Sequence, residues 1–483
     1  MNSKYAELDA IFMPRSVVII GGSPQDNFTN CHLNTRMRDN LYVVNPNYAE
    51  VKGKKCYPSV LDIREPLDYG IIAVPARLAL NAVKQCIEKG LKAVHVYTSG
   101  FAETGLPEGI ALEKELKELA GGRIRLIGPN CMGIYCPKSG LSFNIAGTNE
   151  EGGIGVIAQS GTFAQAFIYS GRSMGFKMSK VVSYGNAVDL DSPDYLEYLA
   201  DDPDTTVIAL YIEGTRRGAR LRSALRYAAG RKPVIVLKGG VTDEGRRVAA
   251  SHTGALAGAG NIWSGMFKQA GAVQVEAFDE LLNTTLALSL VKPPRGRGVG
   301  IVTYSGGFGV VQTDMCIKAG LKVPGFSPAG IEKLRKVVPA AGTMIGNPLD
   351  SWQLFYNYSG KGGTLGDVIR IVAEEKDIHS MVLQFDVINW MLRIWKDDTW
   401  PRLEAVARNA LEACRHARDS AGKPLIWSIF LDPFTDSQAE RDLTMKLRKM
   451  CQDEGFPVCL HLNAAIRAIA YMCEFSLRNK NIQ

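Results

Sequence analysis

The chain is predicted to be α/β: one Rossmann-like doubly wound unit followed by two flavodoxin-like doubly wound units. Three observations point there. Apolar runs rich in Val and Ile alternate with amphipathic stretches, the pattern of parallel strands buried on both faces and joined by helices. The 49 glycines cluster where an apolar run ends, which is the punctuation of strand-to-helix turns. The middle and last portions repeat one order of motifs, as diverged copies of one design do.

The first unit is assigned to residues 1–143. Its strand runs are Ser16-Val17-Val18-Ile19-Ile20, Leu41-Tyr42-Val43-Val44, Tyr69 to Val74, Ala93 to Tyr97 and Arg125-Leu126-Ile127. Helical spacing occupies Leu78 to Lys89 and Gly109 to Leu119. A polar, glycine-containing stretch from Asn144 to Gly153 leads into the second unit, 144–291, whose first strand runs into Gln159-Ser160-Gly161. The segment Lys292-Pro293-Pro294-Arg295-Gly296-Arg297-Gly298 reads as a linker. The third unit, 298–483, opens with an apolar run into Ser305-Gly306-Gly307.

The repeat between the second and third units has four ordered parts. Each unit has a strand ending in Ser-Gly, then Gly-Asn-x-x-Asp (Gly185 to Asp189 and Gly346 to Asp350). Next comes an apolar run ending in an acid, Glu213 or Asp386, and then a Lys-Pro strand from Lys232 or Lys423. Each match is weak alone; four in order are not expected by chance.

Composition excludes several classes. The chain is 46% hydrophobic and 22% charged, with a formal net charge of +7 from scattered basic residues. No dense basic run argues for nucleic acid. No apolar run reaches the roughly 20 residues that span a bilayer, and no signal-peptide layout opens the chain. A cytoplasmic protein is expected. The ten cysteines lie singly from Cys31 to Cys473, and none forms a CxxC pair, so reduced packing thiols are expected and no metal site is assigned.

The chemistry-bearing features are few. Ser160-Gly161-Thr162 and Ser305-Gly306-Gly307 each close a strand and open a helix, where free N–H groups and the positive dipole end attract anions. An ordinary Ser N-cap is the bland alternative for either one alone. His252 lies in a small-residue, glycine-bracketed loop from Ala249 to Gly258, where a bulky anion can approach closely. A histidine that carries a phosphoryl group needs a carboxylate on its other ring nitrogen. Glu213, ending the run Val207 to Ile212, is the candidate; in a parallel sheet it would share the ligand crevice with Ser160. The aromatic-rich region Trp352 to Trp400 is read as interface or core, with no chemistry assigned.

Gly21-Gly22-Ser23 follows the first strand as a nucleotide-binding turn should, but lacks full G-x-G-x-x-G spacing. Asn45-Pro46 stands where a nicotinamide cofactor's ribose would need an acid. That disfavours a dehydrogenase and allows a ligand with a ribose 3′-phosphate such as coenzyme A, whose phosphates Lys52, Lys54 and Lys55 could meet unless they are simply solvated.

The phrases Pro14 to Val17, Val44-Asn45-Pro46, Tyr57 to Val60, Thr98 to Phe101, Gly128 to Cys131, Gln159-Ser160-Gly161, Tyr211 to Gly214 and Ser251 to Gly254 together resemble the α subunit of NDP-forming (ADP-forming) acyl-CoA synthetases, relatives of succinyl-CoA synthetase. The resemblance spans the chain, in the order CoA-binding domain, phosphohistidine domain and third ligase-CoA domain. It implies that acyl-CoA and phosphate give an acyl phosphate and CoA, after which His252 carries phosphorus to ADP. By the same resemblance Glu213 orients His252, and Gln159, Ser160, Gly161, Thr162, Ser305, Gly306, Gly307 and Phe308 bind phosphate. Gly22, Ser23, Asn45, Pro46, Val74, Pro75, Ser99 and Asn130 would line the CoA site. The turn from Gly21 to Asn30 is shorter and poorer in glycine than the family's loop. The family's ATP-grasp part has no counterpart between Met1 and Gln483, so a separate β subunit is expected to bind ATP/ADP and Mg in an α2β2 hetero-oligomer. The substrate would be a small carboxylic acid. A non-catalytic CoA-binding regulatory or scaffold protein of the same fold is the alternative.

Overall fold

The computed structural model describes residues 3–143, 149–253, 260–340 and 342–479; at 3, 4 and 250–253 the description stops at the backbone. The chain forms two compact units, Met1–Glu276 and Ala277–Asn481. The architecture is the α/β one expected: parallel sheets wrapped by helices.

The first unit holds two sheets. One is built from β1 (Val17–Ile20), β2 (Leu41–Val44), β3 (Glu50–Val51), β4 (Lys54–Tyr57), β5 (Tyr69–Ile72), β6 (Ala93–Val96) and β7 (Arg125–Ile127). Their order is β3-β4-β2-β1-β5-β6-β7, and only the β3–β4 pair is antiparallel. All four residues of β1 are buried, because helices cover both faces of the sheet; that is why the run is continuously apolar instead of alternating. The chain turns sharply after β1 at Gly21, whose φ is +94° and where a Cβ would stand 2.6 Å from the Ala73 carbonyl oxygen. Only glycine fits there.

The second sheet comprises β8 (Gly133–Tyr135), β9 (Glu151–Ala158), β10 (Met178–Ser183), β11 (Val207–Ile212), β12 (Val234–Lys238) and β13 (Val273–Val275). Their order is β13-β12-β11-β9-β10-β8. Strand β8 runs antiparallel to β10, with Tyr135 opposite Val181, and the other pairs are parallel.

The second compact unit holds β14 (Val299–Thr303), β15 (Thr343–Met344), β16 (Leu349–Ser351), β17 (Ser380–Gln384), β18 (Leu425–Ser428) and β19 (Val458–Cys459), ordered β15-β16-β14-β17-β18-β19. Its core gathers Val302, Leu383 and Trp427 from the strands with Phe355 and Phe385 beside them. The Phe278–Leu290 helix packs here against Leu462–Arg478. Glu280 accepts bonds from Arg467 Nε and from the Tyr471 hydroxyl, both at 2.7 Å.

One expectation changes. The sequence around His252 reads as a loop, but Asp243–Thr253 is helical, so His252 stands in the last turn of a helix. Acidic Asp243 and Glu244 at its start favour the dipole, and Arg246 and Arg247 pair with them one turn on. The alanines that follow suit a helix as well as a loop. All ten cysteines are buried free thiols. No described helix is long and apolar enough to cross a membrane.

Candidate active site

Outside the carboxyl ends of β7 and β9 lies a pocket of about 180 Å³. Gln159, Ser160, Gly161 and Thr162 line it together with Asn130, so predicted phosphate-binding and CoA-lining residues share one cavity. Ser160 is the N-cap of the Gly161–Ser173 helix, and its hydroxyl accepts the Phe163 N–H at 3.3 Å. The Gly161 and Thr162 N–H groups belong to the helix's first turn, where no intrahelical acceptor exists. Both the N-cap and the anion-site readings of Ser160 are therefore compatible with the geometry.

Glu213, 5% exposed, follows β11 as expected. The Gln159 side chain was expected to bind phosphate; its oxygen instead accepts the backbone N–H groups of Glu213 at 2.8 Å and Gly214 at 3.1 Å. From the other side Lys238 donates to the Glu213 carbonyl oxygen at 2.8 Å. The Tyr211 hydroxyl donates to the Glu213 carboxylate at 3.1 Å. Tyr211 also stacks on Phe163, ring centroids 3.9 Å apart, which ties the first turn of the Ser160 helix to the strand end carrying Glu213. Burial and this carboxylate raise the Tyr211 pKa, so the phenol stays a donor. The side chain of His252 lies outside the described residues.

Asn186 is a pocket-lining residue that sequence reading placed only in a repeat. Its amide nitrogen donates to Glu103 at 2.6 Å and Glu113 at 2.8 Å, pinning the wall between the two sheets of this unit. The two Gly-Asn-x-x-Asp copies have diverged in use. Asp189 takes Arg125 Nε and Nη2 at 2.8 and 3.0 Å. Asp350 instead lies against the other Ser-Gly helix start: a Cβ on Gly306 would stand 3.0 Å from its Oδ2, and burial raises its pKa while the Gly306 backbone opposes that rise. That helix, Gly306–Lys318, receives no side-chain cap from Ser305. A carboxylate thus already sits where an anion was expected, with Gly307 following in the same first turn. Phe308 faces a crevice of about 480 Å³ between the ends of β14 and β17.

The predicted CoA-lining residues all follow strand ends of the first sheet: Gly22 and Ser23 after β1, Asn45 and Pro46 after β2, Val74 and Pro75 after β5, Ser99 after β6 and Asn130 after β7. Asn45 donates to the Gly22 carbonyl at 2.8 Å, joining the first two turns. The Ser23 N–H is taken by Asp26 at 3.0 Å. Lys52 folds back onto the Asp26 carbonyl, Lys54 onto the Arg38 carbonyl, and Lys55 covers the Tyr57 ring.

Comparison with known proteins bears on this arrangement. Residues 15–137 match the family described as a CoA binding domain, and 151–288 the one described as a succinyl-CoA ligase like flavodoxin domain. The α subunit of acetate–CoA ligase (ADP-forming) II from Pyrococcus furiosus is 38% identical over 349 residues, 71% of this chain and 76% of that subunit. The chain belongs to the ADP-forming acyl-CoA synthetases of the succinyl-CoA synthetase superfamily. Another member of these synthetases, acetate–CoA ligase (ADP-forming) of Methanocaldococcus jannaschii, is 38% identical over 71% of this chain and 49% of its own length. The chain therefore spans about half the length of the first curated relatives it matches. The apo acetyl-coenzyme A synthetase 1 (dinucleotide forming) of Ca. Korarchaeum cryptofilum is 25% identical with a TM-score of 0.82, covering 98% of both chains.

Proposed function

We propose that this chain is the α subunit of an ADP-forming acyl-CoA synthetase, an acid–thiol ligase that works through an acyl phosphate and a phosphohistidine. One observation carries the reading: the Ser160 helix start and the Asn130 turn line one pocket inside one compact unit, and Gln159 in its wall clamps the Glu213 strand end. Phosphate held at the helix start attacks the thioester carbonyl of acyl-CoA. The C–S bond breaks, CoA leaves as the thiol, and an acyl phosphate forms. An imidazole nitrogen of His252 then attacks phosphorus while the P–O bond to the acyl group breaks and the carboxylate departs. Glu213 takes the proton-bearing side of that ring and stabilises its charge. The phosphoryl group passes to ADP; in reverse the same steps make acyl-CoA from acid, CoA and ATP.

The reading divides the chain into a CoA-binding domain at 1–143, a phosphohistidine domain at 144–291 and a third ligase-CoA domain at 298–483. Ser305, Gly306, Gly307 and Phe308 give the phosphoryl group a second helix start. Asp350, whose carboxylate lies beside Gly306, would have to yield to it. ATP or ADP, with Mg, is assigned to a separate ATP-grasp β subunit in an α2β2 assembly in the cytoplasm. The name of the Pyrococcus relative, an α subunit, supports a partner chain. The test mixes the chain with acyl-CoA and radiolabelled phosphate. Label on a histidine, absent from His252→Ala while CoA still binds, is expected; a folded wild type that takes no label refutes the reading.

A further inference from the structure

Strand β12 is apolar from Val234 to Leu237 and ends on a charged residue, Lys238, which is only 4% exposed. An ammonium removed from water needs an acceptor for each hydrogen. Two of its hydrogens reach carbonyl oxygens, of Glu213 at 2.8 Å and of Gly239. The same nitrogen stands 4.8 Å from the ring centroid of Trp263, in the Gly260–Ala270 helix, at cation–π distance. Among the described residues no carboxylate is close enough to pair with it directly, so its charge acts on Glu213 through space.

Glu213 is thereby gripped from both neighbouring strands. The Gln159 oxygen holds its N–H from the β9 side, and Lys238 holds its C=O from the β12 side. With the peptide fixed at both polar groups, the carboxylate leaves the strand end in one direction, steadied by the Tyr211 hydroxyl. We propose that Lys238 is a positioning residue for phosphoryl transfer: it fixes the Glu213 peptide so that the carboxylate meets the phosphorylated imidazole. Its ammonium also balances the negative charge gathered there. This rests on the phosphohistidine reading above.

A pH dependence follows. Burial, the largest cause, with a smaller push from Arg246, brings the Lys238 pKa down from 10.5 to about 8; the attraction of Glu213 opposes that fall. Among the described residues, Glu213, Arg246 and the Tyr211 hydroxyl are the titratable groups around it, Trp263 being uncharged. Above pH about 8 the amine loses both its charge and one donor hydrogen.

The test uses the full chain with acetyl-CoA, or benzoyl-CoA if it labels faster, and radiolabelled phosphate, in single turnovers across the alkaline range. Wild type should lose labelling rate in a one-proton step centred near pH 8. Lys238→Met should label on the order of tenfold or more slowly at neutral pH, as loss of a partner behind an orienting group does at metal sites, and show no such step. Lys238→Arg, which stays charged, should move the fall to higher pH. CoA affinity should match wild type in both variants and both should still melt cooperatively, Lys238→Met somewhat lower because it leaves the Glu213 and Gly239 carbonyls without this donor, which separates positioning from loss of fold. A Lys238→Met protein that labels at the wild-type rate, or keeps the step, overturns the proposal. A second readout stands apart from activity. The fluorescence of wild type minus that of Lys238→Met should show a Trp263 transition near pH 8, absent after Trp263→Phe. No transition also overturns the proposal, whereas an unlabelled but folded wild type overturns the ligase reading and leaves the fluorescence result to judge Lys238.

Discussion

Replacing Gln159 separates what this side chain does for the fold from what it does for charge. Its oxygen satisfies two backbone donors, Glu213 N–H at 2.8 Å and Gly214 N–H at 3.1 Å, in a buried setting. Gln159→Leu fills similar space but offers no acceptor. A buried donor left unsatisfied costs about 1–3 kcal/mol, so two amount to about 2–6 kcal/mol. At about 2–4 °C per kcal/mol for a large domain, the melting of the first unit should fall by about 4 °C at least. Gln159→Glu keeps an acceptor, and a carboxylate takes N–H donors at least as strongly as an amide. That variant keeps the clamp, so any fall in its melting reports charge repulsion and not lost hydrogen bonds. It nevertheless sets a second negative charge beside Glu213 and the Ser160 helix start. Two like charges 4 Å apart repel by about 4 kcal/mol at an effective dielectric constant near 20, so histidine labelling should fall by two orders of magnitude or more. Differential scanning calorimetry and labelling from acyl-CoA and phosphate measure the pair. Gln159→Leu melting with wild type, or Gln159→Glu labelling at full rate, would show that the clamp does not position Glu213.

Glu213→Gln keeps the shape and the backbone clamp, so it should fold normally and lose phosphohistidine by about 100-fold or more, read as acid-labile label per mole of chain. Ser160→Ala removes the N-cap bond to Phe163; about 1 kcal/mol of stability should go, while Ser160→Gly loses only a few tenths, measured by urea denaturation. His32 and His95 are buried neutral, and burial holds their pKa values down at about 4 and about 3 from 6.5. Both contribute stability that is present above pH 6.5 and lost as pH falls toward those values, because the unfolded chain takes up protons that the folded one refuses. His95→Phe should flatten the acid side of the urea-midpoint profile; an unchanged slope would refute the assignment.

Legibility tracked the range of the interaction. The strand runs and both Ser-Gly helix starts could be read because periodicity and capping are local, and Glu213 because it ends such a run. The roles of Gln159 and Lys238 could not, since each depends on which strand lies beside β11, and that neighbour is 54 or 25 residues away. A lysine ending an apolar strand was the available signal. The His252 segment misled because alanine and glycine together suit loop and helix alike, and the acidic start that decides for helix lies nine residues before the histidine. Asp350, noted only as part of a repeat, turned out to occupy the Gly306 helix start.

The amino-acid order alone determined that this protein is layered α/β, where its anion-attracting helix starts fall and which strand ends carry acids. These follow from side-chain periodicity and backbone chemistry within a few residues. Tertiary structure decided what those groups do. Strand neighbours that the chain order leaves open turned Gln159 into a clamp, set Lys238 against the Glu213 carbonyl and placed Asp350 beside Gly306. A buried polar group must find a partner wherever packing puts one, and that partner's identity is a property of the folded sheet.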